Sequence, residues 1–415
     1  MELIADLHFH SRYSRAVSQK MIIPEMAKWA KKKGIGLVTT ADFTHPLWVR
    51  ELRENLIEVN EGIYRYKDEP RDVLFLLTTE ISSIYSQKGK GHRIHNLIFA
   101  PNLKVVEKIN QQLQGYGVRL LSDGRPITGL SSIELCDLVF SVSQDCLVIP
   151  AHIWTPWFSL YGSRSGFDSL KECFGQFTDR IYAVETGLSS NPAMNWRIEE
   201  LDSLSIVSFS DAHSLQKLGR EATVFKIANQ NFSYQDIKKA IEKQEIAYTI
   251  EFYPEEGKYH YTGHRNCQIK QSPEETKKVG WTCPVCGKPL TIGVMHRVEK
   301  LATRPINYQP PDRPPYKMLV PLMEILSEAL KSGVSSQKVE TEYNRLIERF
   351  ESEFNVLLKI DPLEIAKVSG EKITQGIKKV REGDIVVDPG YDGVFGTVKI
   401  WGEKEAEEKK QMSLF

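Results

Sequence analysis

The chain has 415 residues, of which 41% are hydrophobic and 26% charged, and this composition excludes a disordered or collagen-like protein. Lysine and arginine total 54, and aspartate and glutamate also total 54, so a nucleic-acid partner would require locally concentrated positive charge. Six cysteines are too few for a disulfide scaffold of this size. Because the sequence shows no long apolar run and no apolar leader, we expect a cytoplasmic protein without membrane contacts.

Seven short apolar segments alternate with helical patterns over about the first 250 residues. Each is rich in Val, Ile, Leu and Phe, which is typical of strands buried on both faces. The segments are 2–9, 36–41, 73–79, 94–100, 147–151, 181–185 and 206–210. Strands that alternate with helices predict a parallel sheet, and seven of them predict an α/β barrel over residues 1–255.

Residues that bind metal ions recur at the ends of these segments. They are His8, His10, Asp42, His45, Glu80, His95, His152, Glu185, Asp211 and His213. One such residue is more often structural than a ligand, but six of the ten histidines fall in this pattern. The carboxyl ends of barrel strands meet at one rim, so we expect these side chains to converge. Imidazole and carboxylate groups together suit zinc, iron or manganese, and clustered ions hydrolyse phosphate esters.

Four motifs carry a resemblance to a known family: Asp6–His10, Glu80 with His95, Pro150–His152 and Ser210–His213. They resemble the polymerase-and-histidinol-phosphatase (PHP) superfamily, in which a distorted seven-stranded barrel holds a bi- or trinuclear metal site that cleaves phosphoesters. We expect zinc as the catalytic metal, with magnesium or manganese as alternatives. The resemblance implies as ligands His8, His10, Glu80, His95, His152, Asp211 and His213, with His8, His10, Glu80 and Asp211 as the catalytic residues.

Two departures from the family pattern leave the number of ions open. Members commonly have Ser-Asp-Gly shortly after the first motif, whereas Ser14 is followed here by Arg15, which removes an acidic ligand. The family's Thr-Asp-His is replaced by the run from Ala41 to His45, so the place of His45 as a ligand is open. Two or three ions are compatible with this sequence.

A second cluster of metal ligands follows the predicted barrel. His264-x-x-Cys267, fifteen residues and then Cys283-x-x-Cys286 have the spacing of a structural zinc site. The alternatives are a redox-active cysteine pair or an incidental arrangement, and His260 competes with His264 for the fourth place. We predict a zinc module over residues 256–311. Its basic residues form a candidate surface for a phosphate backbone: Arg265, Lys270, Lys277, Lys278, Lys288 and Arg297.

The rest of the chain is predicted to be mainly helical over residues 312–401, with a short terminal β segment. Apolar residues recur every three or four positions over 319–330 and 339–357, as they do in amphipathic helices. Residues 402–415 are predicted to form a flexible tail, because 402–410 are almost wholly charged. The last five residues resemble the box that docks onto sliding-clamp proteins, with Gln411, Leu414 and Phe415 as its contacts.

Longer stretches resemble one PHP subfamily, the archaeal and bacterial endonuclease Q repair enzymes. These stretches are Glu251–His260, Cys283–Leu290 and Thr186–Pro192. The resemblance implies a DNA repair endonuclease that cuts on the 5′ side of hypoxanthine, uracil, xanthine or an abasic site. Candidate DNA contacts are Arg164, Arg197, Arg220, Arg265 and Lys270. Candidate walls of a pocket for an extruded base are Tyr13, Trp154, Trp157, Tyr161, Asn191, Asn195 and Trp196.

Two other functions stay open at this point. A generic PHP phosphoesterase acting on nucleotides or sugar phosphates would not need the zinc module and its basic cluster. A non-catalytic protein that binds DNA damage and docks onto a clamp would not need a nearly complete ligand set. We therefore favour the endonuclease, and we expect a monomer whose partners are damaged DNA and a sliding clamp.

Overall fold

The computed structural model describes residues 1–68 and 73–402. Its strands are β1 (Glu2–Asp6), β2 (Leu37–Thr39), β3 (Leu56–Asn60), β4 (Ile63–Tyr66), β5 (Leu74–Leu76), β6 (Thr78–Gln87), β7 (Lys90–Phe99), β8 (Ile127–Thr128), β9 (Leu147–Pro150), β10 (Ala183–Glu185), β11 (Ser205–Val207), β12 (Ala222–Lys226), β13 (Ile246–Glu251), β14 (Thr262–His264), β15 (Ile269–Gln271), β16 (Tyr316–Met318), β17 (Val386–Asp388) and β18 (Thr397–Lys399).

The helices of the described residues are α1 (Ile23–Lys33), α2 (Pro46–Asn55), α3 (Leu103–Gly115), α4 (Ser132–Val142), α5 (Leu170–Phe174), α6 (Pro192–Asn195), α7 (Tyr234–Glu242), α8 (Pro273–Val279), α9 (Val294–Leu301), α10 (Leu322–Leu330), α11 (Gln337–Phe350), α12 (Glu353–Leu358), α13 (Pro362–Ser369) and α14 (Glu371–Glu382). Across the described ranges, every helix is too short or too polar to cross a bilayer.

The chain divides into two compact units. The first comprises Met1–Lys31, Ile35–Glu251 and Ile292–Lys317, and the second comprises Lys32–Gly34, Phe252–Thr291 and the described residues 318–402. Residues 292–317 of the first unit therefore include parts of both the predicted zinc module and the predicted helical domain. The predicted domain boundaries after residues 255 and 311 stay proposals.

The first unit contains all seven predicted strands, as β1, β2, β5, β7, β9, β10 and β11. Strands β1, β2 and β5 pair in parallel, and so do β10 and β11. The expectation of a wholly parallel sheet is wrong, because β7 runs antiparallel to both β6 and β9. The reversal occurs at Lys88 and Gly89, which both have positive φ, as a two-residue hairpin turn requires. The predicted α/β class is confirmed.

The core of the first unit lies beneath the strand ends that carry the metal-binding residues. Strand residues such as Leu37, Phe99 and Val207 are fully buried in one cluster with residues of α7. Burying side chains of this size stabilises the fold by about 1.5–3 kcal/mol each. The ligand-bearing residues just beyond these strands are therefore held by a packed scaffold.

The second unit combines the hairpin β14–β15, the ribbon β17–β18 and helices α10–α14. The predicted apolar stripe is buried on α11, where Val339, Tyr343 and Leu346 are among the buried residues. Helix α13 begins with Asp361 as its cap and Pro362 in its first turn. Inside this unit Lys33 lies 2.7 Å from Glu353, a buried ion pair. The helical character of this region is confirmed.

Candidate metal centre

Two groups of three potential ligands lie at one end of the barrel strands. The first group is His8, His10 and Asp211, and the second is Glu80, His95 and His152. Within each group the ligand atoms are at most 4.8 Å apart. Residues separated by about 200 positions in sequence thus meet, as the barrel predicts. Glu80 and His95 lie within β6 and β7, whereas the other ligands follow their strands.

Glu80 connects the two groups. Its Oε1 atom lies 2.6 Å from Nδ1 of His95 and 3.0 Å from Nε2 of His152. Its Oε2 atom lies 3.4 Å from Nε2 of His10, which itself lies 3.3 Å from Oδ1 of Asp211. A carboxylate that reaches imidazoles of both groups would be able to hold an ion in either group or to bridge two ions. The geometry therefore supports Glu80 as the central residue.

Two buried carboxylates orient the first two histidines. Nδ1 of His8 lies 2.8 Å from Glu185, and Nδ1 of His10 lies 3.0 Å from Asp42. Each contact leaves the Nε2 atom directed into the site, as carboxylate partners do for metal-binding histidines. In the described part of the chain, Nε2 of both histidines and Oδ1 of Asp211 are buried and make no hydrogen bond. Such atoms are costly unless a ligand satisfies them, so the site fits divalent cations.

The charge states of Glu80, Asp211 and His95 suit metal binding. Burial favours a neutral Glu80, but its close contacts with His95 and Arg125 outweigh burial and hold the pKa of Glu80 well below its usual value. Burial is likewise outweighed at Asp211, whose pKa is lowered chiefly by its contact with His10. Burial lowers the pKa of His95 to about 4. Near pH 7 the carboxylates are ionised and His95 is neutral, as metal ligands must be.

Three predicted ligands lie beside the groups without joining them. Both carboxylate oxygens of Glu185 are occupied, one by His8 and one by the backbone N–H of His152, so Glu185 fits a positioning role better than a ligand role. The ring of His45 stacks on Tyr13 with centroids 4.3 Å apart. Nδ1 of His213 lies 2.9 Å from the backbone carbonyl of Asp211, and its side chain is 35% exposed.

Sequence reasoning missed Arg125. Its Nη1 atom lies 3.1 Å from Oε2 of Glu80, so a guanidinium group forms part of the centre. The signal in the sequence is the tripeptide Ser122-Asp123-Gly124 just before it. The Ser-Asp-Gly pattern that is missing after the first motif occurs here instead, more than 100 residues later.

The four predicted zinc ligands of the second unit converge. His264, Cys267, Cys283 and Cys286 place their ligand atoms within 4.8 Å of one another. Hairpin β14–β15 carries the first two, and a turn closed by the bond from Gly287 N–H to the Cys283 carbonyl carries the others. This is a Cys3His site, and its closed ligand set is typical of structural sites. His260 does not belong to the group.

The backbone favours the thiolate form of Cys283. Burial opposes ionisation of Cys283, but the N–H groups of Cys286 and Val285 point at its sulfur and lower its pKa to about 6. The cysteines of the described residues are all free thiols.

The candidate DNA contacts fall into different environments. Arg164 is exposed, and Arg220 donates to the backbone carbonyls of Ser210 and Asp211 beside the metal centre. Arg197 is only 4% exposed and is bound to Glu299, so the structure contradicts its assignment as a phosphate contact. In the second unit Arg265 is exposed and Lys270 pairs with Asp388.

Arg297 also differs from the prediction. It lies on α9 in the first unit, where it is buried and pairs with Asp168. It therefore does not join the basic residues around the Cys3His site, because residues 292–317 pack with the barrel.

Most of the predicted pocket walls are packing residues. Trp154 and Tyr161 are buried, and their polar atoms bond to Asn195 and Glu200. Asn191 caps α6, Trp196 is buried, and Tyr13 donates to Glu51. Trp157 differs, because 37% of its surface is exposed.

An open groove of about 370 Å³ lies along β6 and β7. Trp157, Arg93 and Arg164 are among its lining residues. The guanidinium of Arg93 lies 5.5 Å from the ring centroid of Phe158, and that ring lies 4.7 Å from the ring of His95. Phe158 has a φ of +63°, which is rare for an aromatic residue and is found mainly at functional sites.

Comparison with known proteins supplies the family. Residues 321–384 match the protein family described as the MJ0043 C-terminal domain. The chain is 34% identical over 266 residues to the uncharacterized protein MJ0043 of Methanocaldococcus jannaschii, an alignment that covers 63% of this chain. The chain therefore spans only 33% of the length of that relative.

Two solved structures match nearly the whole chain. PfuEndoQ, a lesion-specific endonuclease from Pyrococcus furiosus, has a TM-score of 0.84 and 32% identity, and the match covers 98% of this chain and 99% of that one. Endonuclease Q in complex with a 27-mer duplex substrate, with an abasic lesion at the active site, has a TM-score of 0.84 and 33% identity, with 97% and 98% covered. The chain belongs to the endonuclease Q family. The family and the fold predicted from the sequence are confirmed.

Proposed function

We propose that this endonuclease Q homologue is a metal-dependent DNA endonuclease that cuts the strand at abasic sites and deaminated bases. The observation that carries the proposal is the convergence of two ligand groups on Glu80, within a chain that matches lesion-specific endonucleases over its full length. The abasic lesion at the active site of the related complex supports abasic DNA as a substrate. Hypoxanthine, uracil and xanthine are the further substrates that we propose, with cleavage on the 5′ side.

His8, His10 and Asp211 would hold one ion, and Glu80, His95 and His152 would hold a second. When bound, zinc, magnesium or manganese ions would activate water and neutralise charge on the phosphate. Of the predicted catalytic residues, His8, His10 and Glu80 are almost fully buried. Their side chains are therefore held in place and shielded from bulk water. Glu185 and Asp42 keep the histidines in position before substrate arrives.

The Cys3His site would bind one zinc ion as a structural element of the second unit. Its four ligands leave no position for a substrate, so it adds folding energy and not chemistry. The exposed Arg265 lies directly after His264 and could contact DNA when this turn is ordered.

The groove that contains Trp157, Arg93 and Arg164 would contact the DNA strand beside the cut. Its two guanidinium groups suit phosphates, and an exposed indole suits stacking on a base. Because the ring of Phe158 packs between Arg93 of this groove and His95, a strand bound in the groove would extend toward the metal centre.

Residues 411–415, with Gln411, Leu414 and Phe415, lie outside the described residues. We keep the sliding clamp as a proposed partner on the sequence pattern alone. Burial of two apolar side chains would contribute about 3–6 kcal/mol to binding, before the cost of ordering the segment. A contact of this strength suits reversible tethering to the clamp.

The proposal is tested with five end-labelled duplexes of one sequence, carrying an abasic site, inosine, uracil, xanthine or a normal base at one position. We expect a single nick 5′ to each lesion and none in the normal duplex. Chelator should abolish nicking and added divalent metal should restore it. Equal nicking of the normal duplex, or release of phosphate from nucleotides without nicking, would contradict the proposal.

A further inference from the structure

We propose that Arg125 contacts the scissile phosphate directly and stabilises the charge that develops on it during cleavage. The inference rests on the proposed endonuclease function and concerns the same site. Its basis is the geometry of the open face of the metal centre, together with the way in which the loop before Arg125 is built.

The metal centre is closed on one side and open on the other. The side chains of His8, His10 and Glu80 are each at most 1% exposed, so substrate cannot approach from their side. Arg125 and Asp211 are 24% and 27% exposed. The exposed side of the site, on which Arg125 and Asp211 lie, is therefore where a phosphate would approach.

Arg125 uses part of its hydrogen-bonding capacity inside the protein. Its Nη1 atom donates to Oε2 of Glu80 at 3.1 Å. A guanidinium has five N–H donors in a planar fork, and the exposed part of this one leaves donors that can reach a ligand. The pairing of two such donors with two phosphate oxygens is the usual way in which arginine recognises phosphate.

The chain around Arg125 is fixed on both sides. The N–H of Gly124 donates to the carbonyl of Tyr13, and Thr44 donates to the carbonyl of Gly124. The N–H of Arg125 donates to Asp123, and the carbonyl of Pro126 accepts from the N–H of Ser82 in β6. A guanidinium held in this way needs little reorganisation when charge appears nearby.

Gly124 allows the close approach. A Cβ atom at this position would collide with the side chains of Asp42 and Ser14. Asp42 is the carboxylate that orients His10. The loop before Arg125 therefore packs directly against a residue that positions the first ligand group. Only a residue without a side chain fits there, and this places the next residue, Arg125, against Glu80.

The alternative role for Arg125 is to hold Glu80 in position for metal. Charge from Glu80 and Asp211 outweighs burial and raises the pKa of Arg125, so its positive charge is permanent in either role. The two roles differ in what the loss of Arg125 removes. A phosphate contact affects turnover and DNA affinity, whereas a positioning role affects bound metal first.

The experiment compares the full chain with its R125A, R125K and R15A variants on an abasic-site duplex. Arg15 is the matched control, because it pairs with Asp123 in the same region but is 77% exposed and does not contact Glu80. We expect kcat to fall about 10²- to 10³-fold in R125A, as it does when a hydrogen-bond donor to the transition state is removed from other enzymes. Bound metal and melting temperature should stay unchanged. R125K should be intermediate, and R15A should resemble the wild type.

Two further measurements distinguish a phosphate contact by Arg125 from a role in positioning Glu80. Millimolar guanidinium should raise the rate of R125A several-fold without affecting R15A. In metal-free buffer, the slope of log affinity against log salt should fall by about 1 in R125A, since one phosphate contact is lost. Wild-type turnover in R125A, or loss of metal without rescue by guanidinium, would overturn the inference while leaving the endonuclease function intact. Failure of the wild type to nick would overturn both.

Discussion

Oε1 of Glu80 lies 2.6 Å from Nδ1 of His95, and the two residues come from neighbouring strands of one hairpin. The two-residue turn at Lys88 and Gly89 sets the register that brings them together. The same carboxylate faces His10 and Arg125 with its other oxygen. A single side chain thus connects both ligand groups and the arginine of the open face.

The first prediction concerns Glu80. E80Q keeps the size of the side chain but removes its charge, so the second ligand group should lose its ion and nicking should fall at least 10³-fold. Metal content per chain, measured by mass spectrometry, should decrease by about one ion. D137N is the control, because Asp137 is exposed on α4. Normal metal content in E80Q would rule out its bridging role.

The second prediction concerns Glu185. E185Q should bind metal about 10- to 100-fold more weakly, because a weaker acceptor holds His8 less firmly in the orientation that metal binding requires. High metal concentration should restore nicking in E185Q but not in E80Q. If excess metal fails to rescue E185Q, Glu185 is itself a ligand, as the sequence first indicated.

The sequence defined the seven strands and the residues of both ligand groups, because apolar segments ending in His, Asp or Glu are a local signal. It could not show the reversal of β7, since His95 looks the same at the end of a parallel strand or within an antiparallel one. It also could not separate Glu185 from the ligands. That distinction depends on which atoms its two oxygens meet, and those contacts join residues 177 and 33 positions apart.

The arginine residues show the same limit of prediction from sequence. Arg164 and Arg197 look equivalent in sequence, yet one is exposed and the other is buried against Glu299. Arg125 was missed because its partner Glu80 lies 45 residues away, and neither residue alone indicates the other. Burial and long-range pairing decide which charges can meet DNA.

The third prediction concerns Glu251, a fully buried carboxyl in the first unit. Burial raises its pKa to about 8, although Ser208 and Thr249 donate hydrogen bonds to it. The folded state therefore holds a proton that the unfolded state releases near pH 4.5, and the free energy of unfolding should fall as pH rises between these values. The slope is at most about 1.4 kcal/mol per pH unit.

E251Q tests this directly, since an amide is neutral at every pH. The difference in unfolding free energy between wild type and E251Q should decrease from pH 5 to about pH 8. Denaturant titrations at several pH values measure it. A difference that does not change with pH would show that Glu251 is ionised in the folded protein.

The fourth prediction concerns the Cys3His site. C283S should lose the zinc ion and should destabilise the second unit, because metal binding supplies folding energy there. Hydrolysis of a small phosphodiester at the barrel should survive better than cleavage of duplex DNA. C146S is the control, because Cys146 is buried in the first unit and should leave zinc content unchanged. Full zinc content in C283S would contradict the assignment.

The fifth prediction concerns residues 411–415. Their deletion should leave nicking of short duplexes unchanged and should remove any stimulation by a sliding clamp. Calorimetry with a purified clamp measures the contact. Equal binding by the full and the truncated chains would exclude this segment as the docking element.

The most direct test of the central claim is single-turnover nicking of one abasic-site duplex after chelation and return of metal. The claim is that the ligand groups around Glu80 bind the ions that cut DNA at lesions. We predict that wild type and D137N regain a single nick at the lesion when zinc, manganese or magnesium is returned, and that D211N does not. Equal nicking by D211N, or nicking that persists in chelator, would contradict the claim.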